Sequence, residues 1–525
     1  MKRRTLLASL PIFAFGAATL VLPGMATAQV AGMLRIRLNS DIRSTDPGIN
    51  RDANTDYLMS HIVEGLVGFQ DNADIAPMLA EKWDISEDGK TYTFTLRDGV
   101  TFHNGAPLTS AEVLFCWNRY MQADLGWRGL PEFNGENGLT VTIAAPDART
   151  VIFTLSEPSS LFLVNLARID CAQTGIYHPD SLGSDGKFVA PIGTGPFKMA
   201  KWERAQYIEL EKFDAYAALS TPRSGLVGDK TPLVDRVRFM IVPEDSSAKT
   251  AVLAGDIDII PDISTSDYTT LKSSAAVKID VVESFSVAGF LFQTKDPLLG
   301  KPEMRQAIKL ALDAPQIVDI ISEGLSKANQ SIVPPGSAFY SQVMAQPFER
   351  DLERARSLAK AAGYKGEVLP LLTTKHYPQL FDMAIMAQAM LAEAGILVDV
   401  QVLDWATLFD RYGSGNYQIA TMTYSARLDP TLSYDMISGD KAEEPRKVWD
   451  NPEARKLLDQ TKRETRHDER AKLFDQIETL FQKDQPMIPL YSGNRISART
   501  PSIDGYASWP VGSPRAWGVT VKAGM

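Results

Sequence analysis

Strand-like and helix-like segments alternate along nearly the whole of this chain, and that alternation restricts its fold more than any single motif. Thr91-Tyr-Thr-Phe-Thr-Leu96 puts Tyr92, Phe94 and Leu96 on one side of a strand, between the turns Glu87-Asp88-Gly89 and Asp98-Gly99. Residues 100–102 read as the start of another strand, and 140–143 with 150–155 as a second hairpin-like unit. Residues 34–38, 234–242 and 396–402 are further strand-like runs. Helical spacing appears in Met304, Ala307, Ile308 and Ala311, in Met383, Met386, Met390 and Leu391, and in Leu473, Phe474, Ile477, Leu480 and Phe481. The methionines read as core fillers. Helices and strands in this order predict α/β layers with some antiparallel hairpins.

At 525 residues the chain is too long for one hydrophobic core, so two or three domains are expected. The formal net charge of -10, without a basic stripe to offset it, argues against a nucleic-acid partner. The five histidines, His61, His103, His178, His376 and His467, are scattered with no pair at helical metal-binding spacing, and no metal is expected. The acids of Asp256-Ile-Asp258 alternate as on a strand whose acidic face meets solvent. No nucleophile elbow, phosphate-cradling glycine loop or zinc-type cysteine spacing is present, so the expectation is a protein that is not an enzyme and carries no cofactor. Of the two cysteines, Cys116 lies in an apolar helical stretch and reads as a small buried hydrophobe, and pairing with Cys171 stays open.

The N-terminus has the form of an export signal. Met1-Lys-Arg-Arg-Thr supplies positive charge, residues 6–22 are apolar, and Ala26-Thr27-Ala28 offers small residues at a cleavage site that predicts a mature start at Gln29. Arg3-Arg4 leaves a twin-arginine route open beside the general secretory one. A periplasmic protein is expected.

One stretch has the character of a ligand floor. Tyr417-Gln-Ile-Ala-Thr-Met-Thr-Tyr-Ser-Ala-Arg-Leu-Asp-Pro430 begins as a strand and ends in an aromatic, a hydroxyl and two charges before the proline. Ligands of open α/β sheets bind outside the carboxyl ends of the strands.

Several blocks together are similar to family 5 extracellular solute-binding proteins, the dipeptide- and oligopeptide-binding components of ABC importers. They are Glu64-Gly-Leu-Val67, Pro77-Met-Leu-Ala-Glu-Lys-Trp83, the run from Ser86 to Val100, Phe102-His-Asn-Gly105, Gly193-Thr-Gly-Pro-Phe197 with Trp202, Ala254-Gly-Asp-Ile-Asp258, Arg305-Gln-Ala-Ile308, Ala394-Gly-Ile396, Asp429-Pro430 and Ile488-Pro-Leu490. The resemblance implies a periplasmic binding protein type II-like fold, two lobes joined by a hinge plus an extra domain. After a signal peptide at 1–28, it implies a first domain from 29–61, 191–283 and 487–525, a second at 62–190 and a third at 284–486.

It also implies the site. Peptide-binding relatives hold the peptide amine with an Asp just after the floor strand; here that position is Ala426, beside Arg427, so the local charge is reversed and Asp429 is the remaining acid. Lys375, His376 and Tyr377 occupy a loop that bears ligand contacts in relatives. Trp127, with Arg128, corresponds to a ligand-facing Trp, and Trp405 and Tyr424 offer aromatic walls. The expected ligand-binding set is thus Arg427, Tyr424, Asp429, Trp127, Lys375, His376, Tyr377 and Trp405. The implied function is capture of a peptide or related small polar solute between two lobes by a monomer, and its delivery to ABC permease subunits in the inner membrane. The alternative is the same fold with an anionic non-peptide cargo, an opine, sugar phosphate or metal chelate, held by Arg427. A periplasmic hydrolase or a chaperone-like binder is a third reading.

Overall fold

The computed structural model describes residues 32–49 and 52–522; the export segment and the predicted start at Gln29 lie outside the described residues. Three sheets organise the chain. The largest has seven strands in the order Lys278–Glu283, Asn494–Arg499, Ile259–Ile260, Met33–Leu38, Arg236–Ile241, Tyr207–Lys212 and Phe197–Glu203. Met33–Leu38 runs parallel to its neighbours on both sides, with Ile36 opposite Phe239 and Ile259. A strand enclosed in this way buries both of its faces. Its alternating arginines are therefore not exposed: Arg37 donates to Val242 O and Pro243 O at 2.9 and 2.8 Å, and Arg35 meets Asp258 at 2.8 Å. The expectation that the acids of 256–258 face solvent holds for Asp256 and is corrected for Asp258, which is buried against Arg35.

Ala80–Ile85, Thr91–Leu96, Thr150–Leu155 and Val141–Asp147 form an antiparallel four-stranded sheet. Tyr92, Phe94 and Leu96 are all buried on one face, as the alternation requires. The helix Ser110–Tyr120 begins at a capping box in which Thr109 and Glu112 satisfy each other's backbone N–H groups. No strand forms at 100–102; Thr101 makes only a bridge to Pro107, whose ring nitrogen has no hydrogen to continue a ladder.

The third sheet has five strands, Val398–Leu403, Leu369–Thr374, Ile419–Tyr424, Val287–Phe292 and Met487–Tyr491. The expected boundary at 486/487 does not follow the strands: Met487–Tyr491 pairs with Val287–Phe292, so this segment sits in the third sheet. Met383 and Met390 lie on the buried face of the helix Pro378–Glu393, in the core on one side of this sheet.

One continuous core joins the first two sheets, running from Leu34 through Phe239 and taking in Ile503 to Val519, whereas two separate cores flank the third sheet. The molecule therefore has two lobes. The chain passes between them at 284–286 and again at 492–493, where Ser284 N donates to Gly493 O at 2.6 Å and Gly493 N to Ser286 Oγ at 3.2 Å. Cys116 and Cys171 are both free and buried; Cys116 Sγ donates to Tyr177 O and accepts from Tyr177 N, each at 3.3 Å.

Candidate functional site

Between the lobes, directly above the two crossing strands, lies a groove of about 1170 Å³. Its first wall comes from the end of Met33–Leu38 and the helix Ala53–Met59, which supply Asn39, Ser40, Asp52, Asn54 and Tyr57. The helix stops at Met59 because His61 N and Ile62 N turn back onto Leu58 O and Met59 O at 3.1 and 2.9 Å. Asp52 caps its start by accepting from Asn54 N, and Asn54 Nδ2 donates to Asn39 Oδ1 at 2.9 Å. The opposite wall is the third sheet and its helices, with Tyr377, Asp382, Thr423 and Tyr491, and the hinge residues Ser284, Ser286, Gly493 and Asn494 close the base.

The lining is rich in hydroxyl and amide groups, and its charges are unequal. Asp52, Asp245, Asp262, Glu323 and Asp382 stand against Arg37 and Arg495. Both guanidiniums are already engaged, Arg37 with Asp245 at 2.6 Å and Arg495 with Asp262 at 3.1 Å. Burial raises the Asp262 carboxyl above its usual range, although Arg495 pulls it back. Among the described residues no cluster of His, Cys, Asp and Glu is arranged to hold a metal ion.

The expected site residues fall into three places. Lys375, His376, Tyr377 and Trp405 gather at one lip of the groove: the His376 ring is 4.7 Å from Tyr377 and nearly parallel to Trp405 at 6.2 Å, and Tyr377 meets Trp405 edge-on at 5.0 Å. Lys375 Nζ lies 4.7 Å above the Phe381 ring. Of these four, Tyr377 lines the groove itself.

The end of the floor strand is the second place. Thr423 faces the groove, so the period-two rule turns Tyr424 to the opposite side, where it is buried and bonds Tyr412 Oη at 3.3 Å. Asp429 is buried too; it caps the helix Pro430–Ile437 and meets Arg470 at 2.8 Å. Arg427 differs from both. Its one hydrogen bond is to the adjacent Ala426 O at 3.1 Å, and no described carboxylate forms an ion pair with it. Half-burial weakens its hold on the proton, as does Arg168 across the cleft, against the pull of Asp170.

Trp127 stands apart in the core of the other lobe, stacked 4.6 Å from Tyr120 and 5.8 Å from Phe133. Its neighbour Arg128 holds Asp56 at 2.7 Å, and burial lifts that carboxyl to about 7 in spite of the guanidinium. Close by, Ala172, Gln173 and Thr174 are three consecutive left-handed residues, with φ of 50°, 59° and 48°.

Sequence reasoning passed over Asn39, Ser40, Asn54, Tyr57 and Asp382. The signal that identifies the base was nevertheless present: Ser284-Phe-Ser286 and Ser492-Gly493 are short serine-bearing breaks between strands, and both turn out to be lobe crossings.

Comparison with known proteins places this architecture among related ones. A family model described as bacterial extracellular solute-binding proteins, family 5 Middle, matches residues 74–481. The heme-binding protein A of Haemophilus influenzae is 25% identical over 504 residues, covering 90% of this chain and 88% of that protein. The dipeptide-binding protein of Escherichia coli is 24% identical over 507 residues, covering 90% and 91%. The solved structure of the binding protein AgaA from A. tumefaciens R10, in complex with agropinic acid, superposes with a TM-score of 0.64 at 26% identity, covering 94% of this chain and 99% of that one.

Proposed function

The chain belongs to the bacterial extracellular solute-binding proteins of family 5, and from that membership we propose that it captures a peptide or a related small polar solute in the groove between its lobes and hands it to an ABC permease. The observation that carries this reading is the groove at the double crossing, lined by hydroxyls and amides and bounded by walls from both lobes. Closure of the lobes about 284–286 and 492–493 encloses such a ligand and removes it from water. The protein acts as a monomer, it catalyses nothing, and it reaches the periplasm by the general secretory or the twin-arginine route. Among the described residues no helix is long and apolar enough to cross a membrane.

The domain division is part of the proposal. A first domain carries the seven-stranded sheet from 29–61, 191–283 and 492–525, a second spans 62–190, and a third spans 284–491, the last boundary following the strand pairing. The ligand-binding set of Tyr377, Trp405, His376 and Lys375 is proposed on position at the groove or its lip, and Arg427 on its half-buried guanidinium, with which no described carboxylate pairs. Tyr424, Asp429 and Trp127 are proposed as supports for it, since each is buried in a lobe.

Thermal-shift screening against di- and tripeptides tests the cargo. A hundredfold excess over the dissociation constant stabilises the native state by about 2.7 kcal/mol; no shift with any peptide at millimolar concentration rejects the peptide assignment. Recovery of the bound compound intact by mass spectrometry, as against its cleavage products, distinguishes a carrier from a hydrolase.

Arg427 favours a second reading. A half-buried guanidinium without a carboxylate is costly until an anion arrives, and AgaA is a relative solved with agropinic acid. The solute then carries a carboxylate or phosphate that meets Arg427. Loss of binding in Arg427→Ala supports this; unchanged affinity for every ligand found removes it.

A further inference from the structure

We propose that Arg470 is a positioning residue that couples the end of the floor strand to a latch between the lobes. The latch is a pair of hydrogen bonds across the cleft. Ser160, in the lobe of the first two sheets, donates its hydroxyl to Thr461 O at 2.7 Å and its backbone N–H to Lys462 O at 2.9 Å. Both acceptors lie in the last turn of the helix Pro452–Arg463, where carbonyls have no partner within the helix and carry the negative end of its dipole. A donor brought from the other lobe satisfies what the helix cannot satisfy itself.

The same Thr461 carbonyl also accepts from Arg470 Nε at 3.3 Å. Arg470 Nη2 reaches the other way, to both oxygens of Asp429 at 2.8 and 2.9 Å and to Thr431 Oγ1 at 2.9 Å. Thr431 Oγ1 in turn lies 3.0 Å from Thr461 Oγ1. One buried guanidinium thus spans from the acid that ends the floor turn to the carbonyl that the opposite lobe engages. Its plane is fixed by Phe339 and Phe474, whose ring centres are 5.0 and 5.3 Å away. A rigid fork with donors on several edges is suited to this, and a lysine is not, because its single ammonium cannot meet Asp429 and Thr461 O together. The Ser160 side is set as well, since Tyr92 Oη donates to the preceding Ser159 O at 2.9 Å. Movement of the floor turn when solute arrives is therefore felt at the latch, and latching holds the turn in place. This rests on the reading of residues 425–429 as the solute-facing end of the strand.

The test uses the full-length protein without ligand. Spin labels at Val189→Cys and Val368→Cys, both well exposed and in opposite lobes, report the ratio of open to closed forms by pulsed dipolar spectroscopy. Ser160→Ala is expected to raise that ratio about two- to tenfold, the range of one neutral hydrogen bond. Arg470→Lys keeps the charge beside Asp429 and is expected to shift the ratio in the same direction. The double variant should go no further than the larger single shift, because both changes release one carbonyl. If Arg470→Lys does not fold, Thr431→Val, which removes one contact of the guanidinium and no charge, takes its place. Unchanged ratios, or shifts that add, overturn the coupling. The readout needs no solute, so failure to find a cargo leaves it standing, and failure of the latch leaves solute capture untouched.

Discussion

Lys230 Nζ stands 2.7 Å from Glu64 Oε1, and both side chains are almost wholly removed from solvent. The carboxylate also accepts from Thr194 Oγ1 at 3.0 Å and Tyr216 Oη at 2.9 Å, so a single acid gathers three separate stretches of the chain. Pairs of this kind are costly to break because the partner left behind remains charged and dry. Lys230→Met is expected to lose about 3–5 kcal/mol of stability in urea titration. The double variant with Glu64→Leu should recover part of that loss; equal loss in single and double variants would show that the pair is not what holds the junction.

Gly48 has φ of +72°, and a Cβ there would stand 2.6 Å from Trp127 Nε1 and 3.0 Å from Cys171 O. Gly48→Ala combines a left-handed backbone with a clash against an indole that is stacked on two rings and has little room to move. A loss of about 1–3 kcal/mol is expected, together with a shift in tryptophan emission. An unchanged spectrum with full stability would mean that the loop at 45–49 yields instead of the ring.

Two histidines give stability a definite acid dependence. Burial holds His61 and His103 at about 4, below the ordinary value of 6.5. In the window from 6.5 down to 4 the unfolded chain takes up protons at these positions and the folded one does not. Their contribution is therefore present above 6.5 and is lost as pH falls towards 4, by about 1.4 kcal/mol per pH unit for each. His103→Gln can keep a bond to Gly195 O, which His103 Nε2 makes at 3.0 Å. The difference between wild type and this variant should shrink on acidification; parallel curves from pH 7 to 4.5 would contradict the assignment.

Much of the fold was legible because local signals and tertiary packing agree. The alternation of Thr91–Leu96 and the helical spacings around 304–311 and 383–391 all appear where the residues indicate. Disagreement came where a neighbour on another part of the chain decides the outcome. Arg37 and Asp258 look like surface charges along the sequence, yet Arg37 lies on a strand with a parallel neighbour on each side and Asp258 is buried against Arg35 of that strand. The site was less legible for the same reason. Tyr377 and Thr423 reach the groove from two elements that are adjacent only through sheet pairing, and the polar residues of the first wall carry no motif. Aromatic and charged residues draw attention in a sequence, but Trp127 and Tyr424 are large enough to serve best as core.

The hinge offers a direct handle on lobe motion. A Cβ on Gly493 would lie 2.7 Å from Ser286 Oγ, the group that accepts its N–H. Gly493→Ala is expected to displace that hydroxyl, lose about 1 kcal/mol of hydrogen bonding at the crossing and alter the mean lobe separation, read as a change in radius of gyration by small-angle scattering. Ser286→Ala, which removes the hydroxyl without crowding, should shift the separation less. An identical scattering curve for both variants would show that the crossing strands, and not these side chains, set the lobe angle.

The position of Asn494–Arg499 has a consequence for how the molecule comes to exist. This strand lies between Lys278–Glu283 and Ile259–Ile260, so the large sheet is incomplete in its interior until almost the last residues have been made. Folding of the first lobe must close a loop of more than two hundred residues around the other lobe, the kind of distant pairing that slows assembly. A chain ending just before residue 494 leaves two open strand edges facing each other across a gap, and such edges invite pairing with other molecules. The last few dozen residues therefore act as a keystone: they determine when the protein becomes resistant to aggregation, and any process that must handle the unfolded chain has until their arrival to do so.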